Sequence, residues 1–114
     1  MKVIKVKYVL WVADMDRAIR FYEALVGAEL SFRTDTWSEV TVAGATIGLH
    51  GDGEGTRTWT GLSFQLDDLL EGVERLRTCG GELAKPLDDS EEALHLAMCV
   101  DPEGNEFMMT QRRD

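Results

Sequence analysis

Few residues in this chain could serve as nucleophiles, bases or metal ligands. It contains two histidines, His50 and His95, and two cysteines, Cys79 and Cys99. It has no Gly-x-Ser-x-Gly nucleophile elbow and no Cys–His signature. The glycine-rich stretch 51–55 lacks the Lys-Ser/Thr of a phosphate-binding loop and carries two acidic residues instead. Each cysteine falls in a periodic apolar segment, so we expect two buried thiols rather than a disulfide scaffold.

The elements that must position these residues follow from hydrophobic periodicity. Alternating residues predict a first strand over Ile4–Val12. Asp14 then offers a helix N-cap, and apolar residues at helical spacing continue until Gly27, which favours a helix stop. Three further short strands are predicted in the first half, at Leu30–Arg33, Trp37–Val42 and Ala45–His50.

The second half repeats the same order. A strand is predicted over Thr58–Leu66, and Asp68 with Glu71 has the spacing of a capping box at the start of a second helix. Gly80 and Gly81 end that helix. The last three strands are predicted at Glu82–Lys85, Ala93–Val100 and Asn105–Gln111.

The order βαβββ therefore occurs twice and predicts an α+β fold in one domain, 1–114. Module 1 covers 1–50 and module 2 covers 58–114. The linker 51–57 is rich in glycine, and we expect it to be mobile. Each helix should cover the outer face of its curved sheet, which leaves the inner faces to form a concavity.

Three segments resemble the vicinal-oxygen-chelate superfamily, which includes glyoxalases, bleomycin-resistance proteins and extradiol dioxygenases. They are Val12–Tyr22 in the first half, and Gly61–Leu69 and Asp101–Phe107 in the second. The resemblance covers essentially the whole chain and implies paired βαβββ modules with curved mixed sheets. It implies much less about activity, because this fold carries many chemistries as well as non-catalytic binding.

Metal-bearing members of the superfamily place four ligands on inner strands, where they hold a divalent ion with open coordination positions. The resemblance carries those positions onto Lys7, Gly48, Gly61 and Met108. An ammonium, two residues without side chains and a soft thioether do not suit a hard cation. The resemblance therefore implies a glyoxalase-like chain that has lost the metal site, and we expect neither a metal nor another cofactor.

Strand alternation also predicts what lines the concavity instead. We expect the ammonium of Lys7 either to anchor an anionic or oxygen-rich ligand, or to form a salt bridge with Glu106 or lie solvated at a strand end. The two glycines should leave extra room. No residue can be assigned as catalytic. The predicted ligand-binding residues are Lys7, Trp11, Trp37, Gly48, His50, Trp59, Ser63, Glu106 and Met108.

The charge balance limits the partners. A formal net charge of −9 repels nucleic acid and favours a cationic ligand. No apolar run reaches the length of a membrane helix, and the alternating start, Met1–Lys7, is typical of a strand rather than a leader. We therefore expect a cytoplasmic chain that contacts neither nucleic acid nor membrane. Open sheets also leave edge strands exposed, which favours a homodimer.

Three functions are compatible with this sequence. The first is metal-independent binding of a cationic or aromatic small molecule, as in drug sequestration by bleomycin-resistance proteins. The second is a glyoxalase-like lyase or a related enzyme with a divergent site, in which Lys7, His50 or Glu106 would transfer protons. The third is a subunit or regulatory module whose own side chains fill the concavity.

Overall fold

The computed structural model describes residues 1–87 and 95–112 and contains two βαβββ modules, which confirms the predicted α+β fold. In module 1 the elements are β1 (Lys7–Trp11), α1 (Met15–Val26), β2 (Glu29–Arg33), β3 (Trp37–Val42) and β4 (Ala45–His50). In module 2 they are β5 (Thr58–Leu66), α2 (Leu69–Thr78), β6 (Glu82–Leu83), β7 (Leu96–Val100) and β8 (Asn105–Gln111).

The two sheets have equivalent topology, in the orders β1-β4-β3-β2 and β5-β8-β7-β6. The pairs β1–β4 and β5–β8 are parallel, and the other pairs are antiparallel. The module 2 sheet differs by a register shift in β5 between Trp59 and Ser63. Gly61 lies inside this irregularity with a φ of 77°, a backbone conformation that glycine adopts at little cost.

Both helices begin and end largely as the sequence predicts. The side chain of Asp14 accepts a hydrogen bond from the Arg17 amide, and that of Asp68 accepts one from the Glu71 amide. Gly27 ends α1 in the left-handed conformation. With 12 and 10 residues, neither α1 nor α2 is long enough to cross a membrane, and no other helix occurs in the described residues.

One continuous apolar core extends through both modules. Tyr22 and Phe21 of α1 make ring contacts with Phe107 of β8, at centroid distances of 6.2 Å each. Cys99 is fully buried in this core and Cys79 is half-buried, and both are free thiols. Burial raises the pKa of Cys99 to about 12, so its thiol stays protonated near neutral pH.

Two strand predictions differ from the structure at their ends. Strand β1 begins at Lys7 rather than Ile4, because β4 begins at Ala45 and the first register pair is Lys7 with Thr46. Strand β6 contains two residues rather than four. The first part of the strand predicted at Ala93–Val100 lies outside the described residues, and β7 is assigned from Leu96.

The linker packs closely against module 1. The Gly51 amide donates to the Thr36 carbonyl, and the Gly53 amide donates to the Val12 carbonyl. A Cβ on Gly53 would lie 2.7 Å from the Val12 nitrogen, so only glycine fits this approach. The linker that we expected to be mobile is therefore hydrogen-bonded to the module that precedes it.

Candidate functional site

A groove of about 370 Å³ lies between β1 and the start of β5. We call it the tryptophan groove because Trp11 and Trp59 both line it, with 53% and 50% of their surfaces exposed. Its volume falls within the range of small-molecule sites. Two half-exposed indoles in one groove offer flat apolar faces to a ligand. The other lining residues are Lys7, Tyr8, Val9, Thr58, Thr60 and Asn105.

Aromatic rings cover the inner face of module 1 beside this groove. The rings of Trp11 and His50 lie 4.1 Å apart between centroids. The Trp37 ring meets His50 edge-on at 6.1 Å. Trp37 also lies directly over Gly48, where a Cβ would be 2.2 Å from its Cη2 atom. The expectation of extra room at Gly48 is therefore wrong, because the Trp37 indole occupies that space.

This contact makes Gly48 intolerant of a side chain. We expect Gly48→Ala to lower the free energy of unfolding by about 1–3 kcal/mol, because the methyl group must displace the indole. Urea denaturation measures the loss, and near-UV circular dichroism reports the displaced ring. In a Trp37→Ala background the same substitution should cost much less. An equal cost in both backgrounds would show that the ring is not the obstacle.

A buried carboxylate that the sequence analysis missed lies on the same inner face. Glu39 of β3 accepts from Lys5 Nζ at 2.6 Å, and its other oxygen accepts from Trp37 Nε1 at 2.9 Å and lies 3.1 Å from Lys7 Nζ. The Lys7 ammonium also lies 5.3 Å from the Trp37 ring centroid. Alternation along β3 places Glu39 on the same face as Trp37, which was the available signal.

One of the alternatives considered for Lys7, a salt bridge with Glu106, is wrong. Lys7 reaches Glu39, two strands away in its own sheet, whereas Glu106 pairs with Arg57 at 2.9 Å. The sheet order β1-β4-β3 explains the difference, because β1 and β3 lie on either side of β4. Lys7 is the register partner of Thr46 and Glu39 is that of Gly48, two residues further along β4, so the lysine crosses β4 diagonally to reach the carboxylate.

The ion cluster at Glu39 predicts an acid-sensitive contribution to stability. Hydrogen bonds from Lys5, Trp37 and Lys7 lower the pKa of Glu39 from 4.5 to about 2. A lowered carboxyl pKa stabilises the fold above the unfolded value, and this stabilisation is lost as pH falls from about 4.5 to about 2.

We expect Glu39→Gln to cost about 1 kcal/mol at pH 7, a value reduced because both lysines are partly exposed. The deficit should shrink as the pH approaches 2, where about half of the wild-type Glu39 side chains are protonated. Thermal unfolding of both proteins across pH 2–7 checks this result. Parallel curves over that range would contradict it.

The structure brings only some of the predicted site residues together. Lys7, Trp11 and Trp59 line the tryptophan groove, while Trp37, Gly48 and His50 form the adjoining aromatic surface. His50 Nδ1 lies 2.6 Å from the Gly51 carbonyl oxygen. On module 2, Glu106 is the register partner of Trp59. Ser63 and Met108 are register partners further along the same two strands.

The four positions that correspond to the metal ligands of the superfamily do not suit a divalent cation. Lys7 is engaged by Glu39, and the position at Gly48 lies under Trp37. At Gly61 a Cβ would lie 3.0 Å from the Tyr8 hydroxyl, and Met108 offers only a thioether. In residues 1–87 and 95–112, no three His, Cys, Asp or Glu side chains are grouped so that they could hold a metal ion.

A buried polar network lies beside the groove, at its lining residue Asn105. Asn105 Nδ2 donates to the Trp11 carbonyl at 2.8 Å and to Asp101 Oδ2 at 3.1 Å. The Tyr22 hydroxyl donates to the same Asp101 oxygen at 2.5 Å. The backbone amides of Glu103 and Asn105 donate to Asp101 Oδ1. This network joins the turn before β8 to the end of β1 and so fixes the backbone that carries Trp11.

Comparison with known proteins identifies the family. The profile of a glyoxalase-like domain family matches residues 7–110. No protein with a curated functional description is significantly similar in sequence.

Solved structures support the fold. A glyoxalase/bleomycin resistance protein/dioxygenase superfamily member from Sphaerobacter thermophilus is 22% identical, with a TM-score of 0.76 and coverage of 97% of this chain and 98% of that one. The fosfomycin resistance protein FosX from Listeria monocytogenes is 20% identical, with a TM-score of 0.80 and coverage of 99% and 96%. A FosX variant complexed with Mn(II) and 1S,2S-dihydroxypropylphosphonic acid is 20% identical, with a TM-score of 0.76 and coverage of 96% and 90%.

These structural likenesses are below 25% identity and establish the fold, while the family profile spans most of the sequence. The chain has the fold of a glyoxalase/bleomycin resistance protein/dioxygenase superfamily member, and it belongs to the glyoxalase-like domain family.

Proposed function

We propose that this chain binds a planar aromatic small molecule in the tryptophan groove, without a metal ion, and acts by sequestering it. The observation that carries the proposal is that Trp11 and Trp59 line the same groove with about half of each side chain exposed. When a flat ligand covers large apolar rings that are exposed in a concave surface, the burial of apolar area favours binding.

The groove also offers polar groups that could orient a ligand. Thr58 and Thr60 lie on the module 2 side, where their hydroxyls donate to the carbonyls of Thr56 and Glu106 and can still accept from a ligand, and Lys7 lies on the module 1 side. Groove residues Trp11, Thr58 and Asn105 also line a neighbouring cavity that carries Asp52 and Glu54. A ligand with an aromatic body and a cationic substituent fits these surroundings, and the net charge of −9 favours its approach.

Metal independence rests on the residues at the four inner positions. Two ammonium groups, Lys5 and Lys7, already neutralise Glu39 on this surface and would repel a divalent cation. The FosX variant is complexed with Mn(II) as well as 1S,2S-dihydroxypropylphosphonic acid, so this chain would differ from that protein in binding its ligand without a metal ion.

The enzymatic alternative is less well supported by the same contacts. Each of the three acid–base candidates already has a partner: Lys7 contacts Glu39, His50 Nδ1 contacts the Gly51 carbonyl, and Glu106 contacts Arg57. A proton-transfer role would first require these contacts to open. The structural likeness to the fosfomycin resistance protein FosX is the reason for testing this alternative as well.

Isothermal titration calorimetry against a panel of cationic aromatic antibiotics, with excess EDTA present, tests the proposal. We expect saturable binding that EDTA does not change. Trp59→Ala and Trp11→Ala should each weaken binding on the order of 10-fold, because each removes one stacking face. Leu70→Ala removes an equally exposed apolar side chain from α2, outside the groove, and should leave the affinity unchanged.

Two results would overturn the proposal. One is the absence of binding across the whole panel. The other is a stoichiometric divalent ion in protein purified without chelator, together with hemithioacetal lyase activity that EDTA abolishes. That second result would instead support the enzymatic alternative.

A further inference from the structure

The tryptophan groove has a cationic end. Lys7 lines the groove, and its ammonium shares the Glu39 carboxylate with that of Lys5, at 3.1 and 2.6 Å. Two ammonium groups on one carboxylate leave one positive charge in surplus, and the Lys5 and Lys7 side chains are 43% and 40% exposed. An anionic group at this end of the groove is therefore attracted without having to displace an existing ion pair.

At its other end the groove continues into an acidic cavity of about 200 Å³. The two spaces share Trp11, Thr58 and Asn105, and the lining of the cavity adds Asp52 and Glu54. Neither of these two carboxylates has a hydrogen bond or an ion pair within the part of the chain that the structure describes. A cationic group that passes Trp11 therefore meets two negative charges that no basic side chain neutralises.

Glu103 also lines the acidic cavity but is already engaged. The Ala13 and Asp14 amides donate to one of its oxygens, and Arg17 Nε donates to the other. The attraction for a cation in this cavity therefore comes from the two linker carboxylates.

Strand β1 sets the distance between the two ends. Lys7 and Trp11 are its first and last residues, so four steps of about 3.3 Å place their Cα atoms about 13 Å apart. The exposed indoles of Trp11 and Trp59 supply the flat apolar surface of the same groove. A molecule that reaches both ends must therefore be an elongated aromatic body rather than a single ring.

We propose that the ligand of the tryptophan groove is an elongated aromatic zwitterion, with its anionic group beside Lys7 and its ammonium beside Asp52 and Glu54. This inference rests on the proposed function and adds to it the anionic group and the direction in which the ligand lies. The net charge of −9 disfavours any added anionic group at long range. A gain in affinity from a carboxylate must therefore come from a local cation, and Lys7 is the lysine that lines the groove.

Isothermal titration calorimetry with four biphenyls of similar length tests the proposal. One carries a carboxylate and an aminomethyl group at opposite ends, one has the carboxylate as its methyl ester, one has the amine acetylated, and one has both changes. We expect wild type to bind the zwitterion about 5-fold more tightly than either singly charged compound, because each change removes one partly exposed ion pair. Added salt should reduce both ratios and leave the affinity for the uncharged biphenyl unchanged.

Two variants assign each charge of the ligand to its end of the groove. Lys7→Met keeps the length of the side chain, and it should cancel the preference for the carboxylate while preserving that for the ammonium. Asp52→Asn with Glu54→Gln should do the reverse. Asparagine suits the positive φ of 73° at Asp52, so the linker backbone should be preserved.

Matched controls remove the same kinds of charge elsewhere. Lys85→Met, and Asp67→Asn with Glu74→Gln, change the net charge by equal amounts at exposed positions outside both spaces. These variants should preserve both preferences, which separates local ion pairs from the overall charge of the chain.

The comparison of the four biphenyls on wild type needs no variant to fold. A methyl ester that binds as tightly as the zwitterion would overturn the inference, as would a carboxylate preference that survives Lys7→Met or an ammonium preference that survives the double acidic variant. Each of these results leaves the proposed function in place, because the indoles still bind the aromatic body. Absence of binding by all four biphenyls would overturn both proposals.

Discussion

Glu103→Ala is expected to lower the free energy of unfolding by about 3–5 kcal/mol, because it removes a buried acceptor on which three donors from the other module converge. The Glu103 side chain is fully buried, and one oxygen accepts from the amides of Ala13 and Asp14 at 2.8 and 3.0 Å. The other oxygen accepts from Arg17 Nε at 2.6 Å. This one side chain therefore fastens the turn before β8 to the start of α1.

Urea denaturation measures this loss, and two variants separate its parts. Glu103→Gln keeps an oxygen for the two backbone amides but places an amide group against Arg17, so we expect an intermediate loss. Arg17→Ala removes a partly exposed partner and should cost less than Glu103→Ala, since both backbone hydrogen bonds remain. If Glu103→Ala cost under about 1 kcal/mol, the turn would not depend on this carboxylate.

The fold was predictable because its signals are local. Asp14, Gly27 and Asp68 act within one helical turn of themselves, and the alternation of β5 is visible in nine consecutive residues. The start of β1 shows the limit of such signals. Ile4 and Val6 carry strand propensity, but pairing needs a neighbour, and β4 is too short to provide one within the described residues.

The side-chain arrangement of the site was less predictable, because it depends on contacts between distant strands. Alternation placed Lys7, Trp11 and Trp59 correctly on exposed inner faces. It did not reveal that Trp37 covers Gly48 or that Glu39 gathers two lysines, because both facts require the strand order and register. The same reason explains why Glu106 rather than Glu39 was considered as a partner of Lys7.

The contacts of Glu103 were the least predictable from the sequence, because they join the most distant residues. Its partners are separated from it by 86 to 90 positions along the chain. The turn Asp101–Asn105 was predictable from its Pro and Gly, but turn chemistry alone does not show which element the turn contacts. Only the docking of module 2 on the N-terminus of α1 turns a solvated acidic residue into a buried acceptor.

Asp101→Asn is the second substitution with a large expected effect. Four donors converge on this carboxylate: the Tyr22 hydroxyl, the Asn105 side-chain amide, and the amides of Glu103 and Asn105. Asparagine replaces one acceptor oxygen with a donor, so at least one buried donor must lose its partner in either orientation. We expect a loss of about 2–4 kcal/mol in the free energy of unfolding, because unsatisfied buried donors keep their full desolvation cost.

Substitutions at the hydrogen-bond partners of Asp101 measure the contribution of single donors to this loss of stability. Tyr22→Phe removes one donor and should cost about 1–2 kcal/mol, and its effect in the Asp101→Asn background should be smaller. Exposed Asp67→Asn is the control and should stay within about 0.5 kcal/mol of wild type. Burial raises the pKa of Asp101 above its ordinary value, although the hydrogen bonds that it accepts oppose this shift. The loss of stability should be accompanied by a change in the fluorescence of Trp11, whose carbonyl accepts from Asn105. An Asp101→Asn variant as stable as wild type would show that these four hydrogen bonds do not depend on the carboxylate.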